Sequence, residues 1–160
     1  MWQEFAGTLN ELNKTYQELI ALGKKKRSAL VAIDMKTLEG LLPTEKTLTE
    51  RVEMLEKKRQ KALIHLAVTN RSIKKDSKLE DLLPLAPAVL RQVLIQLNAA
   101  LTKSATEASE LSEGNQLLIQ SAMKAINYHL NRIGGASVEP AYGSTGGEIV
   151  THRKNFDFNA

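Results

Sequence analysis

Residues 2–33, WQEFAGTLNELNKTYQELIALGKKKRSALVAI, decide the fold class. Trp2, Phe5, Leu9, Leu12, Tyr16 and Leu19 follow one another at intervals of three and four. The same frame passes Gly23 and Lys26 and resumes at Leu30 and Ile33. A helix turns once every 3.6 residues, so this spacing lines one face with apolar side chains and leaves the rest to water. A narrow seam sustained this long packs against other helices, as in bundles and coiled coils. No proline interrupts it, and the spacing predicts a helix over 2–33.

Asp34 follows as a helix N-cap, because its carboxylate can accept from the free N–H groups of the next turn. A second seam then runs through Leu38, Leu41, Glu45, Leu48, Val52, Leu55, Arg59, Ala62 and Leu66. It predicts a helix over 35–68. Pro43 lies inside it and removes one helical hydrogen bond. Either a short helix ends at Leu42 and another begins, or one helix kinks at Pro43.

Residues 69–86 are polar and charged and read as a connection. Within it, Leu79–Leu83 suits one helical turn capped by Asp76 or Ser77. Pro84 and Pro87 bracket the start of a third long helix over 87–133, with its seam at Leu90, Leu94, Leu97, Leu101, Ala105 or Ala108, Leu111, Leu118, Ala122, Ile126 and Leu130. Gly114 weakens that helix by roughly 1 kcal/mol relative to alanine. Ser112 could cap a separate fourth helix, but one continuous helix is the preferred reading. Gly134-Gly135 is a stop signal. The expected architecture is all-α: an elongated antiparallel three-helix bundle or coiled coil over 1–133, with one long C-terminal helix, followed by a flexible glycine-rich tail over 134–160.

Register follows from the turns. If the first two helices turn near Asp34, residues whose numbers sum to about 70 lie opposite each other, in the manner of a helical hairpin. Glu45 then approaches Lys25 or Lys26, and Arg59 approaches Glu11. Such pairs could fix register, or both side chains could simply snorkel to water. The third helix should return antiparallel to the second, with Leu90 facing Ile64 and Leu111 facing Pro43. Residues beyond about 120 would then overhang the hairpin. Met123, Ile126, Tyr128, Leu130 and Ile133 would carry an apolar stripe with no partner in the bundle, and such a stripe signals a binding face. Bending back or dimerisation would be other ways to cover it.

The composition narrows the function. The 160 residues fit one domain, and aromatics make up only 4% of them, so leucine must supply most of the core. Cysteine is absent, which excludes disulfides and thiolate metal sites. No apolar run approaches the ~20 residues needed to span a bilayer, and Met1–Phe5 lacks the pattern of a signal peptide. A cytoplasmic location without membrane insertion is expected. Twenty-two Lys and Arg against 18 Asp and Glu leave a mild surplus of +4. The basic runs at 24–27, 57–61 and 71–78 are spread along the helices with no interleaved aromatics, so solvated helix faces are expected and nucleic acid is not.

No set of residues supports catalysis or a cofactor. His65, His129 and His152 show no metal-ligand spacing with carboxylates. Gly143-Ser144-Thr145-Gly146-Gly147 lacks both the GK[ST] ending and the preceding strand of a phosphate loop. The chain therefore reads as an interaction protein, not an enzyme.

One resemblance gives this reading a direction. Leu19, Leu22, Lys25 or Lys26, Ala29-Leu30, Asp34, Leu38, Glu45, Leu48, Leu55, Arg59 and Leu63 stand in an order similar to the FlgN family of flagellar export chaperones. Asn115-Gln116-Leu117-Leu118, Ser121, Ile126, Leu130, Gly134, Tyr142-Gly143 and Gly146 resemble its closing pattern, so the likeness spans most of the chain. It implies a bacterial cytoplasmic chaperone. Such a chaperone binds the helical termini of the hook-filament junction (hook-associated) proteins, keeps them unassembled and delivers them to the flagellar type III export gate. Cargo recognition in the family belongs to the C-terminal helix and tail. Here that implies Leu118, Met123, Ile126, Leu130 and Ile133, with Tyr142 in the tail. The competing reading is a coiled-coil adaptor or scaffold acting through self-association, and a homodimer is compatible with either.

Overall fold

The computed structural model describes residues 1–134, 137–139 and 149–151. Four helices appear among them: α1 (Trp2–Ala32), α2 (Met35–Thr69), the single turn α3 (Leu79–Leu82) and α4 (Ala88–Gly134), with a 3-10 turn at Leu83–Leu85. The all-helical expectation holds. Two three-residue strands follow, β1 (Ser137–Glu139) and β2 (Ile149–Thr151), paired antiparallel with Val138 opposite Val150. The expectation of a flexible tail falls mostly on positions outside the described residues.

The chain forms two compact units, Met1–Asn115 and Gln116–Ala160. In the first, α1 and α2 form an antiparallel hairpin. Its turn is tight because Ile33 adopts a left-handed conformation, φ 55°, that lets the Asp34 N–H donate back to the Ala29 carbonyl at 2.9 Å. Asp34 then caps α2 as expected. It accepts from the Thr37 N–H at 3.1 Å and from the Thr37 hydroxyl at 2.6 Å.

The hairpin register is close to that expected. Lys26 reaches both carboxylate oxygens of Glu45, at 2.9 and 2.8 Å. Arg51 lies 3.6 Å from Glu18. The partner of Glu11 differs from the expectation: Lys58 lies 3.8 Å from it, while Arg59 pairs with Glu56, one turn away on its own helix, at 2.8 Å. The next residue along α2 thus takes the cross-hairpin contact, and Arg59 takes the shorter local one.

A single helix passes through Pro43. The side chain is exposed, so the carbonyl one turn earlier, which loses its partner, can be solvated. α4 likewise runs unbroken through Gly114.

The start of α4 lies parallel to α1 and so antiparallel to α2. Its cross-contacts join residues 88 to 92 positions apart, as in Arg27–Asn115 and Asn115–Gly23. The expected facing pairs shift accordingly. Leu111 meets Gly23 of α1 rather than Pro43, and Ile64 is 45% exposed rather than facing Leu90. The cause lies in the connection, which is more structured than its polar sequence suggests. Ile73, Leu82 and Ala86 are buried in one core cluster with Leu9, Leu66 and Leu94. Neither Asp76 nor Ser77 caps α3. Asp81 reaches back to accept from the Lys78 N–H at 3.0 Å, and Ser77 accepts from the Lys74 N–H at 2.8 Å.

Leu12, Leu55, Leu66, Leu82 and Leu94 are almost wholly buried. Each contributes roughly 1.5–3 kcal/mol by leaving water. Thr8 and Thr15 are also buried, and their hydroxyls donate to the Glu4 and Glu11 carbonyls at 2.9 Å, so neither leaves an open polar group.

Candidate functional site

Polar ties at three places join α4 to α1 within the first unit, one of them the surface ion pair of Lys24 with Glu107 at 3.3 Å. The Ser104 hydroxyl donates to Asn13 Oδ1 at 2.7 Å. Further along, Asn115 is buried and serves both sides of a clasp. Its Nδ2 donates to the Gly23 carbonyl at 2.9 Å, and its Oδ1 accepts from Arg27 Nε at 3.1 Å. Two glycines make room for the clasp. A Cβ on Gly23 would lie 2.7 Å from Leu111 Cδ2, and one on Gly114 would collide with the Arg27 guanidinium. The apparent weak point of the helix at Gly114 is thus the place where an arginine crosses it.

An open groove of about 450 Å³ lies beside this clasp, lined by Tyr16, Gly23, Lys26, Glu45, Leu111 and Asn115 among others. Its charged groups neutralise each other, since Lys26 and Glu45 are paired. Burial pushes the Tyr16 phenol above its usual range, with the Glu56 charge adding to the effect and Arg59 opposing it. No His, Asp or Glu cluster that could hold a metal occurs among the described residues. No helix there is long and apolar enough to cross a membrane.

In the second unit, α4 continues through Gln116–Gly134. Five of the expected recognition residues lie here, and all are exposed: Leu118, Met123, Ile126, Leu130 and Ile133. At about 100° per residue they fall within an arc of roughly 140° on one side of the helix. Ile119 and His129 share that arc and were not singled out by the sequence reading, although the same periodicity contains them. Leu118, Ile126 and Leu130 keep the spacing of Leu94, Leu97, Leu101 and Leu111, which face α1 and the core in the first unit. A stripe of one phase is therefore buried before Asn115 and open to water after it.

Away from the arc, Tyr128 is exposed. It packs edge-on to His129 at 5.7 Å, and the Arg132 guanidinium sits 5.8 Å from its ring centre. Tyr142 lies outside the described residues.

The family model for FlgN protein matches residues 1–148. The chain belongs to the FlgN family. FlgN proteins are flagellar export chaperones that bind export substrates, and the helical architecture and open stripe agree with that role. The family match reaches past α4 and β1 and stops just before β2, so the family extends beyond the compact first unit. Neither curated proteins nor solved structures give a significant match to this FlgN chain.

Proposed function

We propose that this FlgN protein is a cytoplasmic chaperone for the hook-filament junction proteins, binding their helical termini, blocking premature assembly and delivering them to the flagellar type III export gate. The observation that carries this reading is the exposed stripe at Leu118, Met123, Ile126, Leu130 and Ile133. Its spacing suits an amphipathic helix laid along it, with anchors every three or four residues. Fully apolar side chains on an open helix incur a hydration cost, and burying them against cargo removes it. Tyr142 belongs to the proposed surface as a contact from the tail.

The test is calorimetry with the terminal helical segments of the two junction proteins. Ile126→Asp with Leu130→Asp places two charges in the middle of the stripe, and cargo binding should be lost while circular dichroism keeps its helical signal. Unchanged binding would sink the site assignment. Absence of binding by the well-folded parent chain, together with a stable dimer by light scattering, would favour the self-associating adaptor.

A further inference from the structure

The far tip of the α1–α2 hairpin carries a second surface of a different kind. Val31, Ile33 and Met35 are 71%, 79% and 59% exposed, and they flank the turn on three alternate positions. Leu30, Leu38 and Leu41 beside them are only half-buried.

The turn itself is built at a cost. Ile33 holds φ 55°, a region that glycine or asparagine enters readily and a β-branched side chain enters with strain. An exposed isoleucine in that position contributes nothing to packing within the chain. Strain kept at an exposed apolar residue points to a use outside the chain.

Charge indicates the kind of partner. Between Lys24 and Glu39 the sequence holds five bases, Lys24, Lys25, Lys26, Arg27 and Lys36, against two acids, Asp34 and Glu39. Lys24 and Lys26 are taken up by Glu107 and Glu45. Lys25 and Lys36 have no ion pair among the described residues, and Arg27 is bonded to a neutral amide. Arg27 lies roughly 9 Å along the helix from Ile33 at 1.5 Å per residue, and Lys36 adjoins Met35, so positive charge borders the apolar tip on both helices.

An anionic lipid surface would match the positive charge but not the turn. Asp34 adjoins Ile33, and its bonds from Thr37 hold its carboxyl below the usual range, so burying the tip in acyl chains would carry a charge with it. A protein partner imposes no such burial on Asp34. We infer that the hairpin tip, Val31, Ile33 and Met35 with Lys25, Arg27 and Lys36 bordering them, docks an acidic amphipathic helix of another protein. This reading does not depend on which cargo the stripe on α4 takes.

The full chain is titrated by calorimetry with two designed amphipathic peptides, alike in their leucine face and carrying glutamate or lysine on the other. The glutamate peptide should bind and the lysine peptide should not. Ile33→Asn keeps a residue that accepts the left-handed turn, so the fold and melting temperature should hold while affinity falls about fivefold. Lys25→Glu with Lys36→Glu should weaken the glutamate peptide about tenfold and bring in the lysine peptide, as charge matching requires. Equal binding of both peptides, or unchanged binding by both variants, overturns the inference. So does loss of peptide binding only in Ile126→Asp with Leu130→Asp, which would move the contact to α4. Binding of phosphatidylglycerol vesicles that Ile33→Asn abolishes, without peptide binding, would assign the tip to lipid instead. None of these measurements uses junction-protein cargo, so failure of the chaperone reading and failure of this one are distinguishable.

Discussion

Asn115→Ala tests whether the clasp on α1 holds the end of the first unit. The change removes a donor to the Gly23 carbonyl and an acceptor for Arg27 Nε. A neutral hydrogen bond contributes about 0.5–1.5 kcal/mol net, and one to a charged group about 1.5–3 kcal/mol. Arg27 is largely exposed and can recover water, so its share falls at the low end. Against this, alanine gains roughly 0.5 kcal/mol in helix propensity over asparagine. The balance is a loss of about 1.5–2.5 kcal/mol. For a chain of this size each kcal/mol lowers the midpoint by about 2–4 °C. Thermal and urea unfolding followed at 222 nm should therefore show a drop of about 3–10 °C with an unchanged urea slope. Asn115→Asp sharpens the test. It keeps the shape and the acceptor for Arg27, but at neutral pH its carboxylate faces the Gly23 carbonyl with no proton to donate. Its deficit should shrink on acidification, when the carboxyl regains a donor. An Asn115→Ala chain as stable as the parent, or an Asn115→Asp deficit independent of pH, would refute the clasp.

Two further outcomes follow from the helix backbone. Pro43→Ala restores an N–H to an exposed helix interior and should stabilise the chain by about 1–2 kcal/mol, read as a higher urea midpoint. Asp34 is held below its usual carboxyl range by the Thr37 bonds, so its contribution is present above the unfolded value of 3.8 and is lost as pH falls through the folded one. Asp34→Asn keeps a cap that does not titrate, and the slope of stability against pH on the acid side should be shallower in that variant.

The periodic features of this chain were legible because they are local. The seams of α1, α2 and α4, the Asp34 cap and the Lys26–Glu45 register pair follow from spacing along one or two helices. The connection was not legible. Its charged residues mark it as loop, yet Ile73 and Leu82 contribute to the core through contacts with helices distant in sequence. That error moved the expected register of α4 against α2, because a folded connection spans a different length from an extended one. Asn115 was noticed only as part of a family pattern. A single asparagine in a helix reads as neutral until the partner carbonyl on Gly23 is known. The hairpin tip was hidden for a related reason. Ile33 reads as the last member of the α1 seam, and the left-handed turn at that residue leaves it open to water.

A chaperone that must release its cargo needs a limited affinity, and the stripe proposed to take that cargo sets a scale for it. Leu118 and Met123 are a little over one third exposed, Ile126 and Leu130 over half, and Ile133 more. Covering the exposed parts yields about 1–2 kcal/mol per side chain, and the cargo helix buries a comparable surface of its own. Counting both faces, the gain is about 10–20 kcal/mol. Loss of rotational and translational freedom opposes it by about 4–15 kcal/mol. Taken at their midpoints the two terms differ by roughly 5–6 kcal/mol, which sets a window for Kd in the tens to hundreds of micromolar. Calorimetry with cargo segments and a chain ending at Gly134 should fall within that window. A nanomolar Kd for the full chain that returns to micromolar on truncation would show that residues beyond α4 supply the difference, with Tyr142 the first to substitute. A nanomolar Kd that survives truncation would refute this scale and point to contacts within 1–134 beyond these five side chains, which substituting Ile126 and Leu130 would then leave largely intact.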